Sequence, residues 1–284
     1  MVCPDCLSGH VRTETPTGNV AKIHGRDTYI ASPAAGVKPK GLIVIISDLF
    51  GWEFVNTRLL ADQYAAKGDF LVYLPDFMSG PAVPVWITDV LPKVMSSATL
   101  GDWVWKPWYA SQIMFYVFPW IFTNRWSVSW PIVRSFFEAV RSHEGSSLSI
   151  GAAGFCWGGK HAIFLTHVDS VTFADADGGK KPLVDAIFIA HPSVVTYPDD
   201  VEKVAKPASM AIGDQDMSVT MAQVGLTQKV WAEKRDVMET EVVVYPGANH
   251  GFSNRVDHFN ENLLKQARDA EDQAISWFAK HLKR

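Results

Sequence analysis

Cysteine is scarce in this chain, with three among 284 residues. That number excludes a disulfide-stapled fold, and it suits a reducing compartment where a thiol can act as a reagent. Basic residues are not in excess. Twenty-six Lys and Arg against 30 Asp and Glu leave a formal net charge of −4, which lacks the basic footprint needed to hold nucleic-acid phosphates. No apolar run reaches the roughly 20 residues that a bilayer span requires. The strongest, Trp108 to Phe122, is too short and carries Pro119. Residues 1–10 show no charged segment followed by an apolar one, so we expect no secretory leader and a cytoplasmic setting. Internal repeats and low-complexity segments are also missing.

The chain is 48% hydrophobic and 20% charged, the balance of a globular protein with a large core. Gly41 to Ser47 is short, β-branched and apolar, as a central parallel strand would be. Further strands are expected at 70–74, 148–153, 184–190, 208–212 and 241–245. Helices are expected at 56–67, ending at Gly68, and at 131–143, 157–167, 219–234 and 259–280. This alternation predicts a mostly parallel sheet with helices on both faces. Two short N-terminal strands, near 18–23 and 28–32, add an antiparallel edge. Residues 81–130 break the rhythm and hold seven of the eleven tryptophans. We read 1–284 as one α/β domain with 81–130 inserted as a cap, the alternative being an extra core layer or a dimer contact.

The sharpest local signal is Gly154-Phe155-Cys156-Trp157-Gly158-Gly159, directly after an expected buried strand and before an expected helix. A residue presented on so tight a strand-to-helix turn has strained dihedrals and needs flanking residues without Cβ. The helix start offers free N–H groups for negative charge on Cys156 and for an oxyanion beside it. This is the nucleophile elbow of the α/β-hydrolase design, with cysteine in the serine position. A thiol nucleophile needs a base, and the base needs an orienting acid. In this fold both follow the nucleophile at later strand ends. Asp214 and Asp216 follow the strand at 208–212, and His250 follows the strand at 241–245. The order Cys156, Asp216, His250 fits, with Asp214 the competing acid.

With these residues in place, the chain resembles the dienelactone hydrolase family from about residue 15 onward. The resemblance rests on Asp48-Leu49-Phe50-Gly51, Leu74-Pro75-Asp76-Phe77, the elbow at 154–159, Gly213 with Asp216, and Asn249-His250-Gly251-Phe252. Trp52, the Ala61-Asp62-Gln63-Tyr64 stretch and the two early cysteines are similar to the fungal and eukaryotic branch. The resemblance implies a Cys-Asp-His triad that opens a lactone or ester through an acyl-thioester, without a cofactor. Asp76 is then structural. The backbone N–H groups of Trp157 and Leu49 would hold the oxyanion. Asp48 stands where bacterial members carry a glutamate against the resting thiol, one methylene shorter. His191, Arg255 and Trp52 are expected near the substrate, a small lactone or ester, with the protein a monomer or homodimer.

Three other readings rank lower. Cys3, Cys6 and His10 suggest zinc, but a structural site needs four ligands, so no metal is expected there and the N-terminus is read as loose. Residues 154–161 nearly match a phosphate loop, but His161 replaces the hydroxyl that holds Mg²⁺, so nucleotide binding ranks below hydrolysis. A catalytically silent protein of the same fold, binding an apolar ligand or partner, also stays open. Asp169, Asp175 and Asp177 read as a solvated loop, and Lys280 to Arg284 as a helix end.

Overall fold

The computed structural model describes residues 4–96, 99–167, 172–174, 180–257 and 259–282. Cys3, the acidic group Asp169, Asp175 and Asp177, and the terminal Lys283 and Arg284 lie outside the described residues. Ten strands are described: β1 (Asn19–Ile23), β2 (Arg26–Ala31), β3 (Leu42–Ile46), β4 (Leu71–Pro75), β5 (Ile150–Phe155), β6 (Thr172–Ala174), β7 (Lys180–Pro182), β8 (Ala186–Ala190), β9 (Ala208–Gly213) and β10 (Thr240–Tyr245). The helices are α1 (Val55–Gly68), α2 (Ile87–Met95), α3 (Leu100–Thr123), α4 (Trp126–Ser142), α5 (Trp157–Leu165), α6 (Asp199–Glu202), α7 (Met221–Ala232) and α8 (Glu261–His281).

The main sheet has the order β1-β2-β4-β3-β5-β8-β9-β10. From β4 to β10 every pairing is parallel, and β1 and β2 form the antiparallel edge. β3 (Leu-Ile-Val-Ile-Ile) and β8 are buried throughout. That is why they read as continuous apolar runs rather than alternating ones: both faces of a parallel sheet are covered. One apolar layer lies under α4, α5 and α7, and the other under α1 and α8. The sheet is that of an α/β-hydrolase, with its parallel strand ends converging on one rim.

Two local expectations are corrected. α1 does end at Gly68, but the left-handed residue is Asp69, at φ 58°. Gly68 is required for space instead, since a Cβ there would lie 2.4 Å from the Phe70 ring. α3 runs unbroken through Pro107 and Pro119, although each proline removes one backbone hydrogen bond. After α5, Thr172–Ala174 and Lys180–Pro182 pair as the small β6–β7 ribbon. No described helix is long and apolar enough to cross a membrane. α3 nonetheless leaves Trp103, Trp108, Phe115, Phe118 and Phe122 each more than half exposed. Val117 and Trp120 are buried on its inner side.

Candidate active site

β5 ends at Phe155, Cys156 turns the chain at φ 51° and ψ −112°, and α5 begins at Trp157. A positive φ is costly for a residue with a Cβ, so the turn must be over-determined by its neighbours. It is. A Cβ on Gly158 would lie 2.1 Å from the carbonyl oxygen of Ile46, and one on Gly154 would lie 2.5 Å from that of Gly158. The elbow therefore presses against the end of β3. Leu49, three residues beyond Ile46, and Trp157 belong to the same buried cluster as Cys156. The Cys156 N–H donates to the Ala190 carbonyl at 3.2 Å, and the Cys156 carbonyl accepts from the Ser193 N–H at 2.9 Å.

The acid and base arrive from the two neighbouring strand ends on the other side. Asp216 follows β9 and His250 follows β10. His250 Nδ1 lies 3.1 and 3.0 Å from the two Asp216 oxygens, with both side chains fully buried. Asp216 Oδ1 also accepts from the N–H groups of Ser218 at 2.7 Å and Val219 at 3.2 Å. A carboxylate on Nδ1 assigns the proton to that nitrogen and aims Nε2 at the elbow. Asp214 does something else: its Oδ1 accepts from the Gly247 N–H at 2.7 Å and fastens the turn after β10.

Cys156 Sγ and a His250 ring nitrogen lie within 4.8 Å of each other, and Cys6 Sγ completes the group within the same limit. Cys6 was not expected here. Pro4–Leu7 forms a 3₁₀ turn with Cys6 and Leu7 buried, so this part of the N-terminus is packed rather than loose. Cys6 Sγ is 3.9 Å from Cys156 Sγ, and Ser193 Oγ is 3.7 Å from it on another side. Burial alone would push the His250 imidazole down. The hydrogen bond to Asp216 and the adjoining Cys6 thiol outweigh it and raise the imidazole to about 10.

Asp48 and Arg255 are brought together beneath this turn. The Asp48 carboxylate takes a direct ion pair from the Arg255 guanidinium, with Asn254 Nδ2 at 3.3 Å and the Phe50 N–H at 3.0 Å. Both side chains are almost wholly buried. In a buried setting a guanidinium competes for a carboxylate far better than a thiol does, so the short Asp48 side chain is directed at Arg255. Burial opposes the Arg255 charge, but Asp48 and the thiols of Cys156 and Cys6 more than offset this and hold it above its ordinary value. Arg255 also donates to the carbonyls of Ser8 at 3.0 Å and Asp5 at 3.3 Å. The same guanidinium thus pins the segment that carries Cys6.

Arg255→Met is expected to cost about 3–5 kcal/mol, because it strands a buried Asp48 carboxylate. For a chain of this size that corresponds to a Tm loss on the order of 10 °C. Thermal unfolding of the single variant beside Asp48→Asn/Arg255→Met checks it, with the double variant recovering much of the loss. Equal losses in both would remove the pair from the stability account.

His191 is fully buried, at φ 37°, with Nε2 2.9 Å from Ser253 Oγ and its ring packed edge-on against His250 at 4.9 Å. The Trp52 ring lies under the Arg58 guanidinium at 4.7 Å. Lys160, the lysine of the near-phosphate loop, is held by Asp200 Oδ2 at 3.2 Å and the Val194 carbonyl at 3.1 Å. His161, which stands where that loop needs a hydroxyl, is buried between Ser129 Oγ at 2.9 Å and the Trp157 carbonyl at 3.1 Å. A cleft of about 260 Å³ opens beside Trp157, walled by Trp120, Trp126, Ile121 and Val194. A second, of about 280 Å³, lies between Ser8–His10 and the His250 loop. Neither is lined by Cys156, which sits beneath Cys6. Sequence reasoning weighed Cys6 only as a possible zinc ligand and missed its place beside Cys156, and it missed the contacts made by Ser193 and Ser253.

Residues 26–282 match the model of the dienelactone hydrolase family. A hydrolase from Aspergillus violaceofuscus, pyvD, is 25% identical over 280 residues, covering 98% of this chain and 96% of that protein. Dienlactone hydrolase 1 of Gibberella moniliformis is 26% identical over 254 residues, covering 88% and 82%. The crystal structure of a dienelactone hydrolase from Anabaena variabilis superposes with a TM-score of 0.56 at 11% identity, covering 94% of this chain and 98% of that one. With the sheet, the elbow and the strand-end acid and base already in view, the chain belongs to the dienelactone hydrolase family and is a hydrolase of ester or lactone bonds.

Proposed function

We propose that the protein opens a lactone or ester through an acyl-thioester on Cys156. The observation that carries this is the convergence of the strained elbow thiol with a histidine whose other nitrogen is held by a buried carboxylate. The Cys156 thiol gives its proton to His250 as Sγ attacks the carbonyl carbon, and the carbonyl oxygen becomes an oxyanion held by the N–H groups of Trp157 and Leu49. Such a donor is worth about 2.7–4 kcal/mol in the transition state. The carbon–oxygen bond to the leaving group breaks as His250 delivers its proton to the departing alkoxide. Water then attacks the thioester and gives a proton to His250, and the carbon–sulfur bond breaks to release the acid and restore the thiol. Asp216 fixes the imidazole and supports its positive charge throughout.

His191 acts by positioning, backing the His250 ring from behind. The resting separation of thiol and imidazole is wider than a hydrogen bond, as is common before substrate binds, and Cys6 must shift for a carbonyl to reach Cys156. The α2–α3 region and the start of α4 form a cap over the elbow. Its aromatic cleft beside Trp157 fits an apolar acyl or ring portion larger than a simple dienelactone. A cytoplasmic setting keeps the thiol reduced. The test is rapid-mixing hydrolysis of a chromogenic ester. A burst of leaving group approaching one equivalent per active site is expected when deacylation is slow. A strictly linear time course, with deacylation shown to be slow by added nucleophile, would rule out the covalent route.

A further inference from the structure

We propose that Cys6, Cys156 and His250 form a binding site for a thiophilic divalent cation of the zinc type, one that occupies the nucleophile reversibly. Three features carry this. First, the donor set is two thiols and an imidazole, which suits zinc. All three residues are buried, and one ligand atom from each lies within 4.8 Å of the others. Second, the spacing is close to what a bound ion needs. Two sulfurs each 2.3 Å from a tetrahedral centre lie about 3.8 Å apart, and the Sγ atoms of Cys6 and Cys156 are 3.9 Å apart. Third, the imidazole is already oriented. His250 Nδ1 faces the Asp216 carboxylate at 3.0 Å, while the same ring already shares a hydrogen bond with the Cys6 thiol. A carboxylate behind a histidine is the usual support for a metal-bound imidazole, fixing its tautomer and raising its basicity.

The charges balance. Two thiolates neutralise the dication, and the nearby Arg255 charge is already paired with Asp48. Uptake releases the thiol protons and any proton on Nε2 to solvent. The protein supplies three ligands, leaving one position open, as in reactive rather than purely structural zinc sites. The ion would hold the Pro4–Leu7 turn over the elbow, and its removal would free the thiol. The inhibitory consequence rests on the thiol mechanism proposed above, but the binding itself does not.

The test uses the reduced full-length protein, titrated first with Co²⁺ alone and then with Zn²⁺ against a chromogenic chelator. The expected result is one equivalent bound, with a thiolate-to-cobalt charge-transfer band that Zn²⁺ displaces. Loss of a ligand should cost more than the roughly 10–100-fold that loss of a supporting group costs, so Cys6→Ser and Cys156→Ser should each weaken binding by more than about 100-fold. Zinc-edge absorption of the wild type, which needs no variant to fold, should report two sulfurs near 2.3 Å and one imidazole nitrogen. Absence of thiolate bands and of Zn²⁺ uptake at micromolar metal would overturn the proposal. So would binding that survives both substitutions, or a zinc shell without sulfur. If metal binds as expected but leaves ester turnover unchanged, the site stands and the thiol mechanism fails.

Discussion

Cys156→Ala is expected to lower kcat by a factor on the order of 10⁴ or more, with the fold intact. The loss is large because, in the proposed mechanism, the Cys156 thiol forms the bond to the substrate carbonyl. Removing a triad nucleophile costs far more than the oxyanion hole and binding can recover. The fold should survive for a local reason. The contacts of Cys156 Sγ are Cys6 Sγ at 3.9 Å and Ser193 Oγ at 3.7 Å, neither a strong bond, and alanine keeps the Cβ that the turn already accommodates. Steady-state kinetics on an ester panel beside thermal unfolding checks both halves. Activity within tenfold of wild type would mean that another group attacks, or that water is activated directly.

Asp216→Asn is expected to cost about 10³–10⁴ in kcat, by analogy with the loss seen when a triad aspartate loses its charge. An amide can turn an N–H toward Nδ1, which moves the imidazole proton to Nε2 and leaves the base facing Cys156 unable to accept a proton. The same change should appear in stability. His250 binds its proton more tightly in the folded chain, where the imidazole is raised to about 10. Its share of stability is therefore complete below the unfolded value near 6.5 and is lost as pH rises through about 10. In Asp216→Asn that alkaline slope should flatten, because one of the two raising partners is gone. Unfolding free energies between pH 6 and 10 for both proteins test this. A slope that the substitution does not change would assign the alkaline loss to other groups.

The framework of the fold was legible because its strands are buried on both faces. β3, β5, β8 and β9 read as apolar runs, and each lies within a residue or two of its expected place. The antiparallel edge was legible as two short strands before the first buried one. The elbow was legible because glycine is forced at Gly154 and Gly158 by backbone contacts that any residue with a Cβ would violate. The helix within 81–130 was not. Pro119 reads as a stop, yet α3 continues through it, with Val117 and Trp120 packed inward in a way that local propensity cannot report. Two site features were invisible for a different reason. Arg255 finds Asp48 across 207 residues, and Cys6 finds Cys156 across 150. No spacing rule connects such pairs; only the folded sheet rim does.

The central claim is that Cys156 carries the acyl group, and the most direct measurement is the intact mass of enzyme quenched during a single turnover of a chromogenic ester. The account predicts one acyl increment that maps to the peptide containing Cys156, decays at the rate of product release, and is absent in Cys156→Ala. An unmodified enzyme throughout a turnover whose deacylation is independently slow, or an acyl group mapped to Ser193 or Cys6, would contradict it.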